Sequence, residues 1–204
     1  MNQVLMIFID GVGIGEQDYE FNPFFKYGFK IFNKIFKETP HKQNQYIEKD
    51  GMYIFPSDAR LGVEGLPQSG TGQVSIFCGM NAPKFVGKHF GPFPYSTTIP
   101  IIKEQNIFKT YKDMGRSAYF VNAYPKVFFD YLKSGKTRLS TTSLCCRLTG
   151  MKLNSVTELR QSKALTAEIT NERWNRKLKY QLKVIRPETA ARRLLRIAGK
   201  HDFT

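Results

Sequence analysis

Two short segments of this chain carry residue types that can do chemistry together. The apolar run Val4-Leu5-Met6-Ile7-Phe8-Ile9 closes on Asp10, and the glycine-rich loop Gly65-Leu66-Pro67-Gln68-Ser69-Gly70-Thr71-Gly72-Gln73 presents the hydroxyl of Ser69. A carboxylate at the end of a strand is a hard oxygen ligand placed where α/β proteins usually gather their ligands. A hydroxyl just ahead of a helix meets unpaired N–H groups and the positive end of the helix dipole, which favour an alkoxide or a phosphate. The pair predicts one metal-and-phosphate site, in which the metal lowers the serine pKa and neutralises the phosphate. Glycines at positions 70 and 72 allow close backbone approach to a bound phosphate. Each residue also has a plainer reading: Ser69 or Thr71 as a helix cap, and Asp10 as the cap of the following turn.

The elements that must position these residues read as α/β. Val4 to Ile9 is β-prone without alternation, the pattern of a strand buried on both faces of a parallel sheet. Phe25, Phe29, Phe32 and Phe36 recur at helical spacing between lysines and predict an amphipathic helix packed on that sheet, its aromatic stripe serving as core. Residues 46–55 read as a hairpin turning at Asp50-Gly51. A loop over 57–72 leads into a short helix ended by Gly79, and the proline-rich stretch 81–95 reads as irregular. A helix over 101–114 stopped by Gly115, a strand over 117–121, helices near 139–148 and 156–161, a short strand over 180–185, and a helix from Pro187 stopped by Gly199 complete the reading. The expected fold class is therefore α/β, a mostly parallel sheet flanked by helices.

At this point the motifs resemble a known family. Asp10-Gly11-Val12-Gly13, Asn22-Pro23-Phe24, the Gly65 to Gln73 block, Gly79-Met80-Asn81-Ala82-Pro83-Lys84 and Gly87-Lys88-His89 are similar to the metalloenzyme family of the alkaline phosphatase superfamily. Cofactor-independent phosphoglycerate mutases and phosphopentomutases belong to it. The resemblance runs over essentially the whole chain, and the Gly65 to Gln73 block is its most specific part. It implies that Asp10 ligates a metal and that Ser69 is the catalytic nucleophile, becoming phosphorylated and also touching a metal. Two divalent ions, Mn or Zn, are the implied cofactors, and a small phosphorylated substrate the implied ligand. Lys84, Lys88 and His89 are candidates for binding the anionic part of that substrate, with simple surface exposure as the plainer account of each lysine.

The same resemblance marks a departure. Relatives complete a two-metal site with an Asp followed closely by a His, an Asp-His-Gly segment and a further His, and no Asp-His-Gly occurs here. Each divalent ion wants about four ligands. The chain is therefore expected to be a C-terminally truncated member that alone binds no metal tightly and is weakly active or inactive. A missing C-terminal segment or partner chain would complete it. By resemblance to the mutases, residues 1–91 are expected to form the N-terminal part of an alkaline phosphatase-like core. Residues 92–185 would form a small cap-like insertion with connecting elements, and 186–204 a return to the core.

Composition bounds the remaining classes. With 204 residues, 41% hydrophobic and 14% aromatic, the chain can bury a sizeable core. No run reaches the ~18 apolar residues of a membrane span, and no basic n-region precedes Val4, so neither a span nor a signal peptide is expected. Three cysteines, Cys78, Cys145 and Cys146, have neither the even count of a disulfide framework nor zinc-knuckle spacing. A cytoplasmic protein with reduced thiols is the expectation. The net charge of +14 is concentrated after Tyr131, where about 17 Lys and Arg face 5 Asp and Glu. That end suggests an alternative function, binding of a polyanion or partner without catalysis. Nucleic acid is nevertheless not expected, because the basic residues are scattered and lack interleaved aromatics. A decayed gene product without a function of its own is the third reading.

Overall fold

A strand exists only where a neighbour runs alongside it, and that condition decides this fold. The computed structural model describes residues 3–204, so Met1 and Asn2, where the search for an n-region begins, lie outside the described residues. Among the described residues the regular sheet is a single antiparallel hairpin, β1 (Ile47–Lys49) with β2 (Met52–Ile54). The expected mostly parallel sheet flanked by helices is therefore corrected to a predominantly helical fold. Parallel pairing is confined to single bridges: Val4 and Ala118 each with Phe203, Asn122 with Leu165, and Ala123 with Asn154. Val4 and Met6 exchange backbone bonds with Asp202 and Thr204, but Ile7, Phe8 and Ile9 beyond them are 63%, 43% and 64% exposed. The run has the propensity of a buried strand and no partner over its second half. The expected strand 117–121 fails similarly, since its neighbour changes from Phe203 to Leu165 within a few residues. No strand forms over 180–185.

The chain divides into two compact units, residues 7–59 and the remainder. The smaller unit holds the hairpin and two short helices, α1 (Pro23–Lys26) and α2 (Lys30–Ile35). Asn22 caps α1 through Phe24 N–H, and Gly28 at φ 67 separates the two helices. That left-handed glycine breaks the single helix expected from the phenylalanine spacing. The rings pack on one another instead of on a sheet: Phe29 lies 4.8 Å from Phe24 and 4.7 Å from Phe32, centroid to centroid. None of the residues in either helix is fully buried.

The larger unit is helical. In order come α3 (Ser69–Cys78), α4 (Ala82–Val86), a 3-10 turn (Ser96–Thr98), α5 (Ile99–Gln105), α6 (Ile107–Asp113) and α7 (Lys126–Lys133). Then follow α8 (Thr141–Leu148), α9 (Val156–Arg160), α10 (Glu172–Leu178) and α11 (Pro187–Ala198). Helix α3 is the hub, packed against α4, α5 and α8. Val74, Phe77 and Cys78 from α3 meet Ile102, Phe108, Cys145, Cys146 and Phe203 in the main core. Two smaller clusters, one around Val121, Leu165 and Ile197 and one around Ala123, Leu159 and Trp174, lie under α11 and α10. Helix α4 corrects the irregular reading of 81–95, because Pro83 falls in a first turn, where its missing N–H does no harm, behind the Asn81 cap. The helix expected over 101–114 is two, since the extended, fully buried Asn106 ends α5 and caps α6 through Lys109 N–H. No helix among the described residues is long and apolar enough to cross a membrane.

Candidate functional site

The loop before α3 turns repeatedly through the left-handed region, at Leu61, Gly62 and Gly65. Gln68 is then extended (φ −126, ψ 142), and Ser69 opens the helix. Ser69 thus stands in the first turn of a ten-residue helix, half-buried, with its hydroxyl in no hydrogen bond among the described residues. The positive end of the dipole lies at this hydroxyl, as the sequence predicts.

Not all of the first-turn donors are available to a ligand. Thr71 N–H donates to the Phe90 carbonyl at 2.9 Å and Gly72 N–H to the Gln68 carbonyl at 2.9 Å. That leaves the N–H groups of Ser69 and Gly70. Gly70 itself is used by the protein: a Cβ there would lie 2.1 Å from the Phe93 carbonyl oxygen and 2.5 Å from that of Phe90. Gly91 reciprocates, since its Cβ would sit 3.1 Å from the Gln68 side chain and 3.3 Å from Gly70 N. The two glycines let two stretches of backbone meet. Gly72, by contrast, faces open space. Thr71, fully buried, joins the same contact by accepting Phe90 N–H at 3.2 Å, a role that local spacing does not signal because its partner lies 19 residues on.

His89 lies on the strap that leads to Phe90. Its Nε2 is 3.2 Å from the Val63 carbonyl, so Nε2 carries the proton and Nδ1 is the acceptor of the neutral ring. The ring also packs near Gly65, pinning the loop that precedes Ser69. Lys88 reaches over the Tyr95 ring at 5.9 Å. Lys84 is exposed on α4, its N–H donating to Asn81 Oδ1. Neither lysine hydrogen-bonds to the Ser69 loop among the described residues. An open cleft of about 540 Å³ lies elsewhere, lined by Glu168, Arg173, Arg176 and Val184 among others.

Asp10 belongs to the smaller unit and Ser69 to the larger. Asp10 is exposed in a turn completed by Gly11 at φ 74, and nothing among the described residues hydrogen-bonds its carboxylate. No group of three or more His, Cys, Asp or Glu side chains placed to hold a metal occurs among the described residues. One carboxylate and one hydroxyl do not meet the needs of two divalent ions. The donor set here does not fit the two-metal site that the resemblance implies. No protein-family model, curated protein sequence or solved structure matches this chain.

Proposed function

We propose that this chain is a phosphoryl-transfer protein of the phosphatase or phosphomutase type, with Ser69 as the residue that accepts the phosphoryl group of a small phosphomonoester. The observation that carries the reading is the Ser69 hydroxyl in the first turn of α3, half-exposed and without a hydrogen-bond partner among the described residues. Two first-turn N–H groups and the helix dipole favour negative charge there. In the proposed step Ser69 Oγ attacks phosphorus in line, the bond to the leaving oxygen breaks, and that oxygen takes up a proton from water. The Oγ proton passes to solvent. The compartment we assign is the cytoplasm, on the strength of three free, buried thiols.

Mass spectrometry after incubation with 4-nitrophenyl phosphate, with and without Mn²⁺ or Zn²⁺, tests this reading. One phosphoryl group is expected on the peptide containing Ser69, absent from Ser69→Ala. An unmodified Ser69 under every metal condition, or hydrolysis undiminished in Ser69→Ala, would sink the assignment.

A further inference from the structure

Basic residues that are scattered in the sequence meet on one surface of the larger unit. Helix α11 lies against the turn that ends α9: Arg193 Nη1 donates to the Ala164 carbonyl at 3.1 Å and Arg196 Nη2 to the Ser162 carbonyl at 2.6 Å. Ser162, at φ 58, turns the chain there. Between those carbonyls stands Lys163, exposed, whose own carbonyl accepts the Tyr119 hydroxyl at 2.9 Å. The His201 ring stacks on Tyr119 at 4.7 Å and 8° between planes. Arg160 closes α9, Arg192 precedes Arg193 and sits one turn before Arg196, and Lys200 precedes His201.

None of these six cations forms an ion pair with a carboxylate among the described residues. The nearest acids by sequence are engaged otherwise, Glu158 by Lys152 and Ser155, Glu188 by Arg186, and Asp202 by Ser117. Burial, then the neighbouring charge of Arg196, holds Arg193 below the usual guanidinium range, which marks the two side chains as uncompensated neighbours. Each guanidinium has five N–H donors in a fixed fork, and the main-chain carbonyls of 164 and 162 accept one bond from Arg193 and Arg196 respectively and set its direction. The result is a cationic surface held in place by backbone.

We infer that this surface, Lys163 with Arg192, Arg193, Arg196 and Lys200 around the Tyr119–His201 stack, binds single-stranded nucleic acid. Arg192 to Ala198 covers ~9 Å at the helical rise, and Lys200 follows just beyond the helix, a length that matches a short stretch of single-stranded backbone carrying more than one phosphate. Repeated phosphates supply what a run of unpaired cations lacks. The half-exposed stacked rings supply the aromatic component that a single-strand platform needs, since bases stack on ring faces regardless of sequence. The inference departs from the expectation drawn from the linear sequence, where Tyr119 stands some forty residues from Lys163 and outside the basic run. The surface is independent of Ser69 and of the chemistry proposed for it.

Fluorescence anisotropy with a labelled single-stranded oligonucleotide, titrated across salt, is the test. Lys163→Glu/Arg192→Glu/Lys200→Glu changes only exposed side chains that form no hydrogen bond or ion pair among the described residues, and Lys26→Glu/Lys30→Glu/Lys34→Glu in the smaller unit makes the same change of net charge. The first triple variant is expected to bind at least tenfold more weakly, with a log–log salt slope shallower by about 2, at ~0.7 per phosphate contact. The second is expected to leave the slope near that of the unmodified chain. His201→Ala is expected to weaken binding about fivefold or more at unchanged slope, as loss of a stacked base does. Equal losses in the two triple variants, a duplex or heparin bound as tightly as the single strand, or full affinity in His201→Ala would overturn the inference.

Discussion

Thr71 and Phe90 hold each other by two backbone groups: Thr71 N–H donates to the Phe90 carbonyl at 2.9 Å, and Phe90 N–H donates to the Thr71 hydroxyl at 3.2 Å. The strap 87–93 is thereby fastened against the first turn of α3, and the Ser69 hydroxyl takes no part in that contact. Of the four orphan donors at the helix N-terminus, those of Gln68, Ser69, Gly70 and Thr71, the strap satisfies one and leaves three, among them the first-turn N–H groups of Ser69 and Gly70. Capping by a distant backbone carbonyl in place of a local side chain makes the shape of the site depend on how closely two main chains approach.

That dependence separates two glycines that look equivalent in sequence. Gly70→Ala would drive a methyl group against the Phe90 and Phe93 carbonyls, backbone atoms that cannot swing aside. The expected loss is about 2–4 kcal/mol, as for other overpacked or unpaired buried contacts. Gly72→Ala meets nothing and sits inside α3. It should stabilise by about 0.5–1 kcal/mol through helix propensity. Urea denaturation of the two variants checks both signs, and a common sign would contradict the packing described.

What the sequence made legible was local. Asp50 and Gly51, at φ 51 and 75, form the tight turn that their types announce, and both strands appear on either side. Gly79 at φ 64 ends α3, and Pro187 opens α11. Ser69 stands at a helix start as its loop implies. What failed needed distant partners. Val4 to Ile9 has strand propensity throughout, yet only the segment facing Asp202 to Thr204 is paired. The periodicity over 101–114 is continuous, but Asn106 binds the Ile102 carbonyl at 2.7 Å and Lys109 N–H at 3.2 Å, and so ends one helix while starting another. Gly70 reads as a phosphate-binding glycine until Phe93 is found against it. The basic surface around Tyr119 is invisible for the same reason, since Arg193 and Arg196 reach carbonyls about 30 residues back.

The three thiols offer a check on the main core. Cys145 and Cys146 are fully buried and Cys78 nearly so, all in the cluster between α3 and α8. A hydrogen bond to Cys78, with burial, pushes the Cys145 thiol up, and burial pushes that of Cys146 up to about 12. The thiolate is the reactive form. The same bond lowers the Cys78 thiol against the effect of burial, so in native protein Cys145 and Cys146 should react only slowly with Ellman's reagent at mildly alkaline pH, while all three thiols react at once in concentrated guanidinium. Rapid labelling of Cys145 or Cys146 in the folded state, read by mass spectrometry, would place the α3–α8 contact in error.

The acid dependence of stability should centre on the start of α9. Glu158 Oε1 is 2.6 Å from Lys152 Nζ, and Oε2 accepts Ser155 N–H at 2.8 Å and the Ser155 hydroxyl at 2.7 Å. Lys152, then Ser155, hold the carboxyl down to about 2 against the opposing effect of burial. An unfolded glutamate titrates near ~4.3, so the folded state binds this proton more weakly than the unfolded state. The stabilisation is fully present above the unfolded value and disappears as pH falls from there through about 2. Glu158→Gln keeps an acceptor in the capping box but loses the charge. Because Lys152 is largely exposed and screened, the variant should be less stable by about 1–2 kcal/mol at neutral pH. Below the folded pKa the carboxyl is as neutral as the amide, and the two proteins should converge. Urea midpoints followed from neutral pH downward decide the matter: curves that stay parallel would show that Glu158 is not ionised and paired in the fold.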